Sequence, residues 1–256
     1  MSLFNKVFAS FGIGSAKVDT SLEKGVYRAG EKVSGVVSII GGNVQQEIDS
    51  IYLSVQTSYI RESDDRKFTD TASIFKTQLN EPFTVGEQET IEIPFSFELP
   101  YDTPLTYGNT GVWVSTGLTI KKAVDPSDKD YIEVQPNTLT QSLLQAIQDL
   151  GFRIREVECV VAPSSIRGKY PFLQEFEFVP TSGPFRGKLD ELELTILTQD
   201  EQSAELLLQV DRKANGIGGL FAEAFEMDEN FVRMTVFAQD RHGIKEKLFQ
   251  EIQRYS

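Results

Sequence analysis

One cysteine, one histidine and one tryptophan in 256 residues leave this chain poor in the side chains on which much protein chemistry rests. Cys159 has no second thiol with which to close an intramolecular disulfide, so a disulfide-stapled fold is excluded. A zinc site would depend mainly on carboxylates, an unusual donor set for that ion, and no metal or other cofactor is expected. Long apolar runs are also missing, and none approaches the roughly 18 residues of a spanning helix. The opening MSLFNKVFASFGIGSAK lacks the basic region, continuous apolar stretch and small-residue cleavage site of a secretory signal. A cytoplasmic protein is the expectation, with peripheral attachment at the inner face of the membrane as its variant. Basic charge is scarce as well: 25 Lys and Arg stand against 38 Asp and Glu, a net charge of −13. The basic residues are scattered, as at Lys121-Lys122 and Arg212-Lys213, so nothing gathers a face to attract phosphates, and nucleic acid is not an expected partner.

What the chain does contain is ordinary globular composition, with 40% hydrophobic and 25% charged residues. Its length corresponds to about 1.7 domains of roughly 150 residues. From residue 16 to 123 the dominant pattern is period-two alternation, the mark of half-buried strands. Ile51, Leu53, Val55, Thr57 and Tyr59 form one such run, and Val33, Gly35, Val37 and Ile39 another. Ile91, Ile93, Phe95, Phe97 and Leu99 form a third, in which Pro94 lacks the N–H of a central ladder and predicts an edge or a bulge. Val112, Val114, Leu118 and Ile120 add a fourth. Turn clusters such as Gly41-Gly42-Asn43 and Glu62-Ser63-Asp64-Asp65-Arg66 separate the runs, which is the spacing of an antiparallel sandwich.

The pattern changes over 124–151. Val124-Asp125-Pro126-Ser127-Asp128 reads as a turn and Tyr131 to Val134 as a short strand. Asn137 or Thr138 caps a helix carrying Leu139, Leu143, Leu144, Ile147 and Leu150, and Gly151 ends it. Alternation then resumes through Phe152 and Ile154, Phe176 and Phe178, Leu192 to Ile196, Leu206 to Val210, and Phe231 to Phe237. Asp240 caps a final helix whose apolar face is Ile244, Leu248, Phe249 and Ile252. The predicted fold is all-β, two β-sandwich domains in tandem with a short N-terminal amphipathic helix, a helix in the linker and a C-terminal helix. The expected boundaries are 1–123, 124–151 and 152–256.

Candidate chemistry is thin. His242 would have to carry any Ser-His-Asp or Cys-His mechanism alone, no G-x-S-x-G elbow accompanies it, and it reads as a solvated helix residue. Cys159 lies in the apolar run Val157-Glu158-Cys159-Val160-Val161 and reads as a small buried hydrophobe. Asp125, Asp128, Asp130 and Glu133 gather oxygens that hard cations favour, but they lack the order of an EF-hand loop and carry Asp-Pro turn chemistry. Gly183-Pro184-Phe185-Arg186-Gly187-Lys188 falls one residue short of a phosphate loop and reads as a hairpin turn. Gly216-Ile217-Gly218-Gly219 matches only part of a dinucleotide fingerprint. No catalytic, cofactor-binding or metal-ligating residue is assigned. A carboxylate-dependent hydrolase on a β-sandwich stands as an alternative, since sequence cannot place carboxylate pairs across a cleft.

The most suggestive segment is 3–13. Leu3, Phe4, Val7, Phe8 and Phe11 follow the spacing of an amphipathic helix, with Ser2, Asn5, Lys6 and Ser10 opposite. Such a helix can dock on its own sandwich, on a protein partner, or in a membrane interface, and one lysine is few for the last of these.

Three stretches carry a family resemblance: the opening MSLFNKVFASFGIGSAKVDTSLEKGVYRAGEKVSGVVSIIGG, the linker AVDPSDKDYIEVQPNTLTQSLLQAIQDLGFRIREVECV, and PFLQEFEFVPTSGPFRGKLDELEL with DRKANGIGGLFAEAFEMDENFVRMTVF. The chain resembles the SpoOM family of sporulation-control proteins over essentially its whole length. That family is similar to arrestins, which implies two β-sandwich domains joined by a short connector. The resemblance also implies a non-enzymatic scaffold acting through protein partners at an early (stage 0) step of sporulation, and it supplies no catalytic residues. Homodimer formation by pairing of edge strands is a further expectation, because an edge presents unpaired N–H and C=O groups.

Overall fold

The computed structural model describes residues 15–63, 66–121, 125–166, 168–211 and 231–255. The N-terminal half contains β1 (Lys17–Leu22), β2 (Val26–Arg28), β3 (Lys32–Ile40), β4 (Gln46–Ser63), β5 (Arg66–Gln78), β6 (Phe83–Val85), β7 (Thr90–Glu98), β8 (Val112–Ile120) and β9 (Ser127–Gln135). β1, β3 and β7 pair as a three-stranded antiparallel sheet. β4 pairs with β5, β6 and β8, β8 pairs with β9, and β9 pairs in parallel with β2. The two sheets bury Val33, Val37 and Ile39 against Ile51, Leu53, Val55, Val112 and Val114, the inward residues that the alternation identifies. Pro94 lies on β7, an edge strand bonded only to β3, so its missing N–H costs the sheet nothing.

The strand from Ser127 to Gln135 is longer than the sequence suggests, and it is held between β8 and β2 as part of the N-terminal sheet. The stretch expected to act as a connector therefore contributes its strand to the first half. Its helix, α1 (Thr138–Asp149), packs on the second. Asn137 is the cap, its side chain accepting the Thr140 N–H at 2.9 Å, an interaction worth about 1 kcal/mol. At the other end Gly151 takes φ 97°, and a Cβ there would collide with the Ser182 carbonyl, so glycine is required twice over.

The C-terminal half is an antiparallel meander of β10 (Phe152–Val161), β11 (Phe172–Pro180), β12 (Glu191–Gln199), β13 (Ser203–Asp211) and β14 (Phe231–Phe237). α1 and α2 (Ile244–Gln253) lie together against one face. Leu143, Ile147, Ile244, Leu248 and Ile252 are fully buried there with Phe178, Leu192, Leu194, Leu206 and Leu208. Each such side chain contributes about 1.5–3 kcal/mol of hydrophobic stabilisation. Asp240 is not the cap of α2. It lies inside a 3-10 turn, Ala238–Gly243, and α2 starts behind Gly243 with no side-chain cap. The capping residue type suits the start of either helix, and Asp240 instead meets Lys247 at 3.4 Å.

The halves share a sheet. Val160 of β10 bridges Ile60 of β4 in parallel, giving the order β14-β13-β12-β11-β10-β4-β8-β9-β2. None of the described helices is long and apolar enough to cross a membrane.

Candidate functional site

The junction between the halves is closed by neutral side chains bonded to backbone. Gln174 on β11 treats Leu105, in the β7–β8 connection, as a strand partner: its carbonyl accepts the Leu105 N–H at 2.8 Å and its amide donates to the Leu105 carbonyl at 2.7 Å. Gln199 ends β12 and joins three elements. Its backbone N–H donates to Asp102 Oδ1 at 2.9 Å and its side-chain amide to the Tyr101 carbonyl at 2.8 Å. Its side-chain oxygen accepts from Thr140 Oγ1 at 2.7 Å and from Asn137 Nδ2 at 3.3 Å. Tyr170 donates its hydroxyl to the Ile74 carbonyl of β5 at 3.2 Å. Burial pushes the Asp102 carboxyl above its ordinary range, against the Gln199 N–H and the charge of Lys169, which lower it. Stacked rings complete the contact, with Tyr59 and Phe172 centroids 5.9 Å apart and Tyr170 and Phe172 5.6 Å apart.

Packing around these clasps is incomplete. A cavity of about 50 Å3 lies beside Leu105, Tyr170, Gln174 and Gln199. A second, of about 280 Å3, opens where β4 and β10 diverge from their single bridge and is lined by Ser58, Tyr59, Asn109, Thr110, Val157 and Cys159. Among the described residues six strands in these two sheets are bonded on one side only: β1 and β7 to β3, β5 and β6 to β4, β2 to β9 and β14 to β13. Phe68 on β5 and Phe237 on β14 are each 42% exposed. An open ladder beside an exposed aromatic ring can take an extended segment of another chain, backbone giving affinity and the ring giving selectivity.

The residues singled out from sequence do not converge. Leu3, Phe4, Val7, Phe8 and Phe11 lie outside the described residues, as do Gly216, Ile217, Gly218 and Gly219. His242 is exposed at the end of the 3-10 turn. Cys159 is buried 4.0 Å from Thr110 Oγ1, and burial pushes its thiol up to about 12, so it stays protonated and inert. Asp125 accepts the Ile120 N–H and Asp128 the Thr20 N–H, so these carboxylates serve separate strand ends. Asp130 is pushed up to about 6 by burial and by Asp128 and Asp19. Among the described residues no group of three or more His, Cys, Asp or Glu could hold a metal ion. Gly183 to Lys188 form the connection of the β11–β12 hairpin, with Gly183 and Gly187 at positive φ and Phe185 buried. Gln174 and Gln199 have no periodicity or spacing signal, since an amide on a strand reads only as a polar position.

Comparison with known proteins gives concordant results. The family model described as SpoOM protein matches residues 4–214. A Bacillus subtilis (strain 168) protein described as "Sporulation-control protein spo0M" is 42% identical over 260 residues, covering all of both chains. The crystal structure of Spo0M, sporulation control protein, from Bacillus subtilis aligns with a TM-score of 0.87 at 40% identity, covering 95% of this chain and all of that one.

Proposed function

The chain belongs to the SpoOM family of sporulation-control proteins, and from that premise we propose that it is a non-enzymatic adaptor acting at an early step of sporulation through protein–protein contacts. One observation carries the reading: among the described residues β5 and β14 leave one ladder side unpaired beside the exposed Phe68 and Phe237, on a frame whose halves are clasped by Gln174 and Gln199. A rigid two-part frame with open edges suits holding an extended partner segment, or a second copy, in a fixed orientation. The glutamate cluster of Glu156, Glu158, Glu175, Glu177 and Glu193 does not support the hydrolase alternative, because the cavity it lines measures about 10 Å3, room for a water and not for a substrate.

The contact surface in this proposal combines the N-terminal half's edge with the apolar set Leu3, Phe4, Val7, Phe8 and Phe11. The test is in-cell crosslinking with mass spectrometry on the intact chain and on a Phe4→Ser, Phe8→Ser variant whose fold is checked by thermal melt. Crosslinks to a defined protein that disappear in the folded variant support the adaptor reading with this surface. Undiminished crosslinks in the variant remove the segment from the surface, and an intact chain that crosslinks to no protein overturns the adaptor.

A further inference from the structure

The C-terminal sheet carries its helices on one face, and its opposite face is built of glutamate. Three successive strands contain Glu-x-Glu: Glu156 and Glu158 on β10, Glu175 and Glu177 on β11, Glu191 and Glu193 on β12. Period two puts each pair opposite the core residues between or beside it, Val157, Phe176 and Leu192. The register then stacks like charges. Glu156 stands across from Glu177, Glu177 across from Glu193, and Glu158 across from Glu175. Directly opposed side chains in a ladder have Cβ atoms about 4.5–5.5 Å apart, where like charges destabilise the sheet.

The four acids on β11 and β12 are buried, Glu175 at 5% exposure with Glu177, Glu191 and Glu193 beside it, whereas Glu158 on β10 is half-buried and Glu156 exposed. A bulge in β10 between Ile154 and Glu156 supplies one compensation. The extra residue is Arg155, which strict alternation would aim at the helix face, and its guanidinium pairs with Glu177 and, at 2.7 Å, with Glu191. Glu175 gains nothing from it. Neither of its oxygens has a hydrogen-bond partner among the described residues. The groups that face it are Glu158 on β10, with Glu156 and Arg155 beyond, Glu177 on its own strand, and Glu193 and Thr195 on β12; Gln209 lies further along on β13 and Lys67 beside Glu158.

Among the described residues the space beside Glu175 limits what can neutralise it. About 10 Å3 excludes an organic cation, and the carboxylates of the described residues are not placed to hold a metal ion. A proton is the cation that fits. We infer that this face is a proton-binding device in which Glu175 is kept as the neutral acid, so that folding of the C-terminal sheet takes up a proton and alkaline conditions loosen it. Burial, then the charges of Glu193 and Glu158, hold the Glu175 carboxyl well above its ordinary value, and Glu158 is raised by burial and Glu156 against Lys67.

The sign follows from linkage. A carboxyl raised in the folded state binds a proton that the unfolded chain has already released, so stability is greatest below the unfolded value. It is lost as pH rises toward the folded value. Across that window each pH unit lowers the folding equilibrium constant by about tenfold per proton.

The test compares thermal melts of the full chain and of Glu175→Gln, a neutral isostere of the protonated acid, from pH 5 to pH 9. The expected result is a wild-type melting temperature that falls with rising pH, and a variant that matches it at pH 5, exceeds it at high pH and has a shallower slope by about one proton. Parallel curves, or a variant less stable than wild type at pH 8, overturn the inference. If the variant does not fold, infrared spectroscopy of the wild type decides: a protonated carboxyl band present at pH 7 and lost together with the melting temperature supports it, and its absence at pH 7 overturns it. Neither outcome bears on the adaptor reading, whose contact surface is the open edges of β5 and β14 and the segment at 3–11.

Discussion

Replacing Gln174 by alanine removes the clasp between the two halves, and its cost can be worked from the contacts. The substitution deletes two hydrogen bonds to Leu105, at 2.8 and 2.7 Å. The Leu105 carbonyl keeps a bond from the Tyr107 N–H at 2.9 Å, so it is not orphaned. The Leu105 N–H loses its acceptor, and Leu105 is only 3% exposed, so water is a poor substitute. A net bond is worth about 1 kcal/mol and a buried unsatisfied donor costs about 1–3, which gives about 2–4 kcal/mol in all. That corresponds to roughly 30- to 1,000-fold in the opening equilibrium of the junction. Hydrogen exchange at the Leu105 amide reads it locally, and urea denaturation reads it globally. Gln174→Glu serves as the discriminating companion, since it keeps an acceptor for the N–H but turns an acceptor toward the Leu105 carbonyl. It should therefore fail to rescue. Unchanged Leu105 exchange in Gln174→Ala, with a stability change below about 0.5 kcal/mol, would refute the idea that this amide holds the halves together.

Two further outcomes follow from the buried polar groups. Arg155→Met takes the guanidinium from Glu177 and Glu191, and because Arg155 is 43% exposed the loss should be about 2 kcal/mol at pH 8, between the roughly 1 of a surface pair and the roughly 3–5 of a buried one. Melts at pH 8 that show no loss would contradict the assigned pairing. Cys159, with its thiol pushed up to about 12, should resist thiol-labelling reagents at pH 8 in the native protein and react on denaturation. Rapid native labelling would show that the wedge between β4 and β10 opens to solvent.

Much of the architecture was legible because its signal is local. The run Ile51, Leu53, Val55 and the run Leu206, Leu208, Val210 alternate because one side of each strand is buried. The Asn137 cap and Gly151 terminus are fixed by backbone groups a few residues away. Elements whose definition depends on a distant partner were less legible. Ile48 and Ile51 are both fully buried although three residues apart, because β4 slips by one residue against β8 between Ile48 and Ser50. No pattern within β4 announces that slip. The strand at Ser127–Gln135 looked like part of a linker because its alternation is broken by charge, and its place is given by ladders to β8 and β2.

By itself, then, the sequence determined a β-rich chain, a capped helix after its first run of strands and a second helix near the end, together with the SpoOM resemblance that the comparisons bear out. These follow from side-chain periodicity and backbone capping, which act within one element. Only the tertiary structure decided that Gln174 and Gln199 clasp a loop far away in the chain, and that the Glu-x-Glu strands stack in register. A period-two pattern marks a polar residue as lying off the core face, and it cannot say what faces that residue from the neighbouring strands. For Glu175 the answer is other glutamates and very little water, and that environment, rather than the residue type, gives the carboxyl its chemistry.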